Sequence, residues 1–327
     1  MMNFNLVGMP KDMASQASLI LNNHWKNSNP FSLRLNIHFN HNQNSILNEN
    51  EINILLLWEP EAVMPEQYRK KIMQTYDLVI PFNKDRAKRL KLPHFLNHPY
   101  DFSMNRERVI NPQKMIAFIN AKKFSAVSRS MYGFRRKAII GISGQGIPIE
   151  MFGPNWNENS FKEFRERFWA VRRAIKAGRF PDFVEAFSEF GYKYKSYQGS
   201  MKEKKDSLPN YRYALVIEND IDSITEKIFE AIECESVPIY IGAPLVDYRD
   251  LQKCVIEVSP KISELLEVIT ELSEDVYNQK VRSIKDFVHL ESKDKIEFSS
   301  EHNWKKLACI IDSHLADRLN TNIDSGV

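Results

Sequence analysis

Cysteine is scarce in this chain. Cys234, Cys254 and Cys309 are odd in number and far apart, and none has a metal-ligand neighbour at C-x-x-C spacing. A disulfide framework and a cysteine-built zinc site are therefore excluded, and a reducing compartment is expected. Long hydrophobic runs are missing too. The most apolar early stretch, 52–58, contains Asn53 and is far too short to span a bilayer, and nothing at the N-terminus reads as a signal peptide. Neither sign of charge dominates: 45 Lys and Arg against 42 Asp and Glu leave a net charge of +3. That balance implies no strong field for nucleic acid, and no nucleic-acid partner is expected. Internal repeats and low-complexity runs are also absent.

What the chain does have is length and aromatic content. Its 327 residues suffice for two domains with real cores, and 20 Phe, 12 Tyr and 5 Trp are available to fill them. The pattern reads as two α/β halves. In the first, 52–57 is an aliphatic buried strand, 66–75 a charged helix, 78–80 a short strand and 84–90 the start of a basic helix. Residues 92–100 carry two prolines and read as a linker. The second half opens with a strand at 114–120. A helix around Arg135, a strand at 149–153 and a further strand at 255–258 follow, with helices at 262–272, 275–287 and 304–319.

The most informative stretch is 213–244. An apolar strand ending at Ile217 stops at Glu218-Asn219-Asp220, a helix follows, and a second apolar strand, 237–241, ends at Gly242. Strand, loop, helix, strand is a βαβ unit, and ligands of such sheets sit outside the carboxyl ends of the strands. Ser223 and Glu226 have capping-box spacing, which predicts a helix starting at Ser223. Ile224, Ile228, Ala231 and Ile232 make one apolar stripe toward the sheet. Thr225-Glu226-Lys227 then lies in the first turn, where free N–H groups and the helix dipole suit a phosphate. Local physics alone leaves two readings level: an anion site, or a capping Glu226 beside a solvated Lys227.

Residues Glu218-Asn219, Thr225-Glu226-Lys227, Val237-Pro238-Ile239-Tyr240 and Gly242-Ala243-Pro244 resemble the signature of the family 10 glycosyltransferases, the α-1,3/1,4-fucosyltransferases. Further pieces fall in the same order as in that family. They are Tyr132-Gly133-Phe134-Arg135-Arg136, Phe152-Gly153-Pro154-Asn155-Trp156, Tyr197-Gln198-Gly199, Lys204, Leu208 and Tyr211-Arg212-Tyr213. The likeness runs from about 118 to about 258. Ile217, Asp220 and Ser223-Ile224 depart from the usual Phe, Ser and Tyr-Val, which opens the identity of the donor sugar but not the nucleotide.

The resemblance implies an α/β, GT-B fold with two Rossmann-like domains facing across a cleft. The expected divisions are an acceptor-side domain at 1–105, a nucleotide-sugar-binding domain at 106–292 with a basic helical insert at about 158–192, and a C-terminal helix and tail at 293–327. It implies an inverting fucosyltransferase that uses GDP-fucose, needs no metal or other cofactor, and acts on a bacterial surface glycan of the lipopolysaccharide O-antigen type. Animal members carry an N-terminal membrane helix; its absence here leads to the expectation of a bacterial, cytoplasmic form. By motif, Glu226 binds the ribose hydroxyls and Lys227 neutralises the diphosphate. Thr225 belongs to the same donor motif. Arg135 is the expected second phosphate cation, with Arg129 as the alternative. Glu218 and Asn219 face the donor sugar or orient the loop, and Lys204 is either at the nucleotide pocket's edge or on the surface. The family's proposed base is a Glu after a first-domain strand. Glu59, after the 52–57 strand, is the candidate, Glu61 the runner-up, and a turn-capping role before Pro60 the competing reading.

Other features are weighed against this. Asp220-Ile221-Asp222 is a D-x-D, a weak metal pattern inside a donor loop that resembles a metal-independent family. His94 and His98 are four apart but flanked by prolines, so they read as linker residues. Residues 161–190 interleave Phe and Trp with Lys and Arg. The favoured reading is an inserted hairpin with its basic face in water. The other is a surface that meets anionic lipid or a charged glycan, making the protein peripheral on the inner face of the inner membrane. Alternatives to the fucosyltransferase are a same-fold enzyme with another nucleotide-sugar donor and a non-catalytic nucleotide- or glycan-binding protein.

Overall fold

The computed structural model describes residues 2–26, 34–42, 47, 50–103, 112–201 and 207–324, the side chains of 319–324 excepted. The chain divides into two compact units: 1–59, 67–101 and 296–327 form the first, 60–66 and 102–295 the second. The C-terminal segment, expected to stand apart from 293 onward, joins the first unit from Ile296.

The first unit holds a four-stranded parallel sheet in the order β1 (Asn3–Val7), β2 (Arg34–Phe39), β3 (Ile52–Leu57), β4 (Leu78–Pro81). The aliphatic β3 is buried along its whole length, as a parallel strand covered on both faces must be. Ile54 and Leu56 pack with Trp25, Trp304 and Ile311 on one side, and Leu55 and Leu57 with Tyr68 and Tyr76 on the other. The helix Lys11–Trp25 meets the helix Ser300–Asp324. Asp312 joins the two helices, accepting from Trp25 Nε1 at 2.9 Å and lying 2.8 Å from His24 Nε2.

Several sequence expectations change here. The 66–75 helix is a 3₁₀ turn, Pro65–Tyr68, followed by a single α turn, Lys70–Met73. The expected linker is packed: Leu96 is buried, Asn97 N–H donates to Asn303 Oδ1 at 2.8 Å, and the His98 ring lies 4.2 Å from that of Trp58. Two prolines stop helix formation, but they do not stop a chain from being buried.

The second unit is a five-stranded parallel sheet, β6 (Ile149–Phe152), β5 (Lys114–Ile119), β7 (Tyr211–Ile217), β8 (Val237–Ile241), β9 (Ile256–Glu257), in that spatial order. Strand order reverses between β5 and β7, and the crevice at such a switch point is where open α/β sheets bind ligands. The helix Tyr132–Gly144 links β5 to β6, and Glu226–Glu233 links β7 to β8. Between β6 and β7 lies the insert, read from sequence as one helical segment but built as two helices, Ser160–Lys176 and Phe183–Phe187. The break falls at Gly178, whose backbone is left-handed at φ +71°. Among the described residues, no helix is long and apolar enough to cross a membrane.

Candidate functional site

The carboxyl ends of β5 and β7 assemble most of the residues singled out from sequence. Strand β7 ends at Ile217, so Glu218 emerges at the sheet edge, yet its side chain turns inward and is fully buried. Its carboxylate accepts from Thr225 N–H at 2.7 Å and from Thr225 Oγ1–H at 2.8 Å. Lys227 Nζ donates to the same carboxylate at 2.9 Å and to Thr225 Oγ1 at 2.9 Å. Glu218, Thr225 and Lys227 are thus one cluster at the start of the Glu226–Glu233 helix. The chain's own carboxylate takes the position that the helix end offers to an anion.

The predicted capping box does not form. The helix starts at Glu226, with Thr225 at its N-cap, instead of at Ser223. Ser223 is held in a turn, its N–H donating to the Asp220 carbonyl at 3.2 Å. Its own carbonyl accepts from Ala243 N–H at 3.1 Å and Tyr240 O–H at 3.0 Å, so it cannot take a first helical hydrogen bond. The predicted apolar stripe is present: Ile224, Ile228, Ala231 and Ile232 are all buried. Glu226 is exposed in the first turn.

Arg135 lies inside the unit, 2% exposed. Its Nε donates to the Ile217 carbonyl at 3.0 Å and its Nη2 to Asn219 Oδ1 at 2.9 Å. Burial pulls its guanidinium below the ordinary arginine value, while Tyr132, Glu218 and Glu226 support its charge. Arg135 therefore fixes the end of β7 and the rotamer of Asn219. Arg129, the alternative cation, donates to Asp222 and lies 3.9 Å from Asp220. Both carboxylates of the D-x-D face this guanidinium, and Asp220 Oδ1 also accepts from Asp222 N–H at 3.0 Å. Among the described residues, no group of three His, Cys, Asp or Glu side chains is placed to hold a metal ion.

The outlying motif pieces meet at the same edge. Gly153 has φ +124°, and a Cβ there would stand 2.2 Å from the Asn120 carbonyl oxygen, so only glycine fits. Trp156 Nε1–H donates to that carbonyl at 2.6 Å, and Gly153 N–H donates to Gly199 at 3.1 Å. Lys204 lies outside the described residues.

Two spaces border this edge. One, beside Lys227, Asn120, Val216 and Glu230, is about 20 Å³, room for roughly one water. The other is a polar cavity of about 270 Å³ lined by Lys122, Lys123, Tyr132, Asn155, Glu158 and Arg173 among others. Sequence reading missed this second cavity, because its lining comes from loops and two helices far apart in the chain. Also missed was Glu185, whose carboxylate accepts from Gly133 N–H at 2.5 Å at the start of the Tyr132–Gly144 helix. Tyr132 and Asn155 of the cavity stand on the motif pieces, but no motif signals Glu185.

The base candidates separate. Glu59, in the first unit, follows the end of β3, partly buried. Its N–H donates to Asn40 Oδ1 at 2.8 Å, and its carbonyl accepts from Gln67 Nε2 and Tyr68 O–H, each at 2.8 Å. Its backbone is therefore pinned at the strand's carboxyl end. Glu61, in the second unit, is buried and lies 2.5 Å from Arg179 Nε.

No protein-family profile and no curated protein matches the chain. Solved structures do. A crystal structure of an α1,3-fucosyltransferase is similar over 96% of this chain and 90% of that one, at 14% identity and a TM-score of 0.51. The structure of Anabaena Alr3699/HepE in complex with UDP and glucose is similar over 95% of this chain and 99% of that one, at 10% identity and a TM-score of 0.50. With two parallel-sheet α/β units of the kind described, the chain has the GT-B fold of glycosyltransferases.

Proposed function

We propose that this chain is a glycosyltransferase that moves a sugar from a nucleoside diphosphate to a hydroxyl of a glycan. The observation that carries this reading is the Glu218–Thr225–Lys227 cluster. It stands at the switch point of the second sheet, on the stretch of sequence that resembles family 10. The GT-B fold supports it as fold, and the motif resemblance supplies the activity.

The residues can serve the transfer as follows. An ammonium has three donors, and two of those on Lys227 go to Glu218 and Thr225, so the third is left for a phosphate oxygen. That cation stabilises the leaving diphosphate. Glu226, exposed in the first turn, accepts from the ribose hydroxyls. The Asn219 amide oxygen is taken by Arg135, which directs its NH₂ group toward the donor sugar. Glu59 is the base. As the acceptor oxygen bonds to the anomeric carbon, its proton passes to the Glu59 carboxylate and the electron pair of the breaking bond leaves on the diphosphate. Such a base contributes roughly a hundred- to ten-thousand-fold in rate. The transfer is inverting and needs no metal. Supporting the latter, a metal at Asp220 and Asp222 would first have to displace Arg129 from both carboxylates.

The donor is GDP-fucose and the acceptor a bacterial surface glycan of the lipopolysaccharide type, with the enzyme working on the cytoplasmic side. A different donor sugar is the second reading, favoured by Asp220 and Ser223-Ile224 where the family has other residues. Calorimetric titration with GDP, UDP, CMP, GDP-fucose and GDP-mannose, with and without Mg²⁺, tests the proposal on wild type, Lys227→Ala and Glu59→Gln. Expected are metal-independent binding of GDP and GDP-fucose, its weakening in Lys227→Ala, and a Glu59→Gln protein that binds donor without turnover. Preference for UDP or CMP, or strict dependence on Mg²⁺, would overturn the donor assignment.

A further inference from the structure

Large apolar side chains on the surface of this protein are concentrated in one place. Among the described residues, all of the exposed ones except Leu19, Val246, Leu290 and Ile296 lie between Phe161 and Tyr192. Scattered exposed apolar residues need no explanation, but a contiguous set does.

The concentration follows from helix geometry. On the helix Ser160–Lys176, Glu163, Arg167, Ala170, Val171 and Ala174 are buried and face the unit. Phe161, Phe164, Phe168 and Ile175 recur at i, i+3, i+7 and i+14, which places them on one exposed stripe along the flank of that face. Phe161 is 77% exposed. The ring of Phe190 lies 6.4 Å from that of Phe164 and extends the stripe sideways. Arg165 and Arg172, seven residues apart, run along its border, both exposed and neither paired with a carboxylate among the described residues. Arg172 also lies 4.8 Å from the centre of the Trp169 ring. At the turn after the helix, Phe180 is 91% exposed, with Phe183 and Val184 close behind it in the chain.

This surface is rigidly supported. Arg167, fully buried, donates to Glu163 and to the carbonyls of Ala186 at 2.6 Å and Ser188 at 2.8 Å. Arg136 Nη2 donates to the Glu185 carbonyl at 2.7 Å. Several charged hydrogen bonds thus clamp the two helices together while their phenylalanines are held out in water.

We propose that this face docks on an anionic lipid bilayer. Phenylalanine and tryptophan rings enter the boundary between headgroups and acyl chains, and arginines alongside them meet lipid phosphates while their stems stay in the apolar layer. A protein partner would have to present acidic groups alternating with deep apolar pockets along the same stripe. A negatively charged bilayer supplies both continuously. The proposal stands independently of the transferase reading, since none of these residues belongs to the donor site.

The test is co-sedimentation of the full chain with vesicles of phosphatidylcholine alone and of an equal mixture of phosphatidylcholine and phosphatidylglycerol. It compares wild type, Phe161→Ser/Phe168→Ser and Arg165→Glu/Arg172→Glu. A Lys70→Glu/Lys71→Glu variant, which reverses two exposed charges in the first unit, is the control for unspecific attraction. Wild type and control are expected on the mixed vesicles, more weakly as salt rises, and not on phosphatidylcholine. Each of the other variants should lose more than about tenfold in partitioning with an unchanged circular-dichroism spectrum. Failure of wild type to bind the mixed vesicles overturns the proposal, as does equal binding by the Phe or Arg variants. So does sedimentation showing that the face instead joins two copies of the chain, which the Phe variant would then render monomeric.

Discussion

Gly242 lies against Glu218. A Cβ at position 242 would stand 2.7 Å from Glu218 Cγ and 2.3 Å from the Tyr240 hydroxyl oxygen. Neither neighbour has room to retreat: Glu218 is tied to Thr225 and Lys227, and Tyr240 donates to the Ser223 carbonyl. The glycine that closes the Val237–Ile241 strand is therefore set by the carboxylate it accommodates. Gly242→Ala is expected to cost about 1–3 kcal/mol, the usual penalty of overpacking, and to weaken GDP binding by displacing Glu218 and with it Lys227. Urea unfolding and calorimetry measure the two effects. An unchanged unfolding midpoint would mean that the crowding around Glu218 is relieved at no cost.

Arg135 offers a sharper separation of roles. If its work is to hold the Ile217 carbonyl and the Asn219 amide, Arg135→Lys loses the forked geometry and lowers stability by about 1–3 kcal/mol, even without ligand. If its work is to bind phosphate, the same change leaves stability alone and weakens GDP. Thermal unfolding of the apo protein, followed by GDP titration, distinguishes them. The expected result is a lower melting temperature in apo protein, because the buried guanidinium is already engaged by the Ile217 carbonyl and the Asn219 amide.

How far the sequence reveals this site depends on where the contacts lie in the chain. The βαβ unit was legible because its strands are aliphatic runs and its helix has a clean stripe, all local patterns. The helix start was misplaced by three residues for a non-local reason. Ser223 has good capping chemistry, but Tyr240 of β8 and Ala243 just after it claim its carbonyl. The first fifty residues gave little, since β1 is only partly buried and Arg34–Phe39 mixes Asn36 and His38 into a strand interior. Burial of those polar groups rests on partners such as Asn53, which no window of neighbouring residues contains. Arg135 shows the same limit: its position on a motif is local information, whereas its partners come from β7.

The first unit makes a prediction about the C-terminal helix. Asp312 receives Trp25 Nε1–H and faces His24, while Trp304, Leu307 and Ile311 are fully buried in the same core. Asp312→Ala should cost about 1–3 kcal/mol, because it leaves a buried indole N–H without its acceptor. Trp304→Ala should cost about 3–5 kcal/mol. Chemical denaturation followed by tryptophan fluorescence reads both. If Trp304→Ala left the first unit's stability unaltered, the C-terminal helix would be a tail and not part of that core.

The insert carries a pH dependence of definite sign. Glu163 is buried and accepts from Lys122 Nζ at 2.9 Å and from Arg167 Nε at 3.0 Å. Burial pushes its carboxyl up, but the hydrogen bonds from Lys122 and Arg167 outweigh that and hold it below the ordinary carboxylate value. In the unfolded chain the group regains that ordinary value, so the unfolded state binds the proton first as pH falls. The stabilisation is thus complete above the unfolded value and is lost as pH falls through the lower, folded one. Glu163→Gln removes the charge at every pH and leaves Lys122 and Arg167 buried without their counter-ion, at a cost of about 3–5 kcal/mol near neutrality. The gap between wild type and Glu163→Gln should therefore be widest at neutral pH and narrow progressively in acid, below about pH 4. Unfolding midpoints measured across that range give the comparison. A gap that stayed constant into acid would show that the Glu163 carboxylate gains nothing from its two cations, and that the insert is clamped by the Arg167 and Arg136 backbone contacts alone.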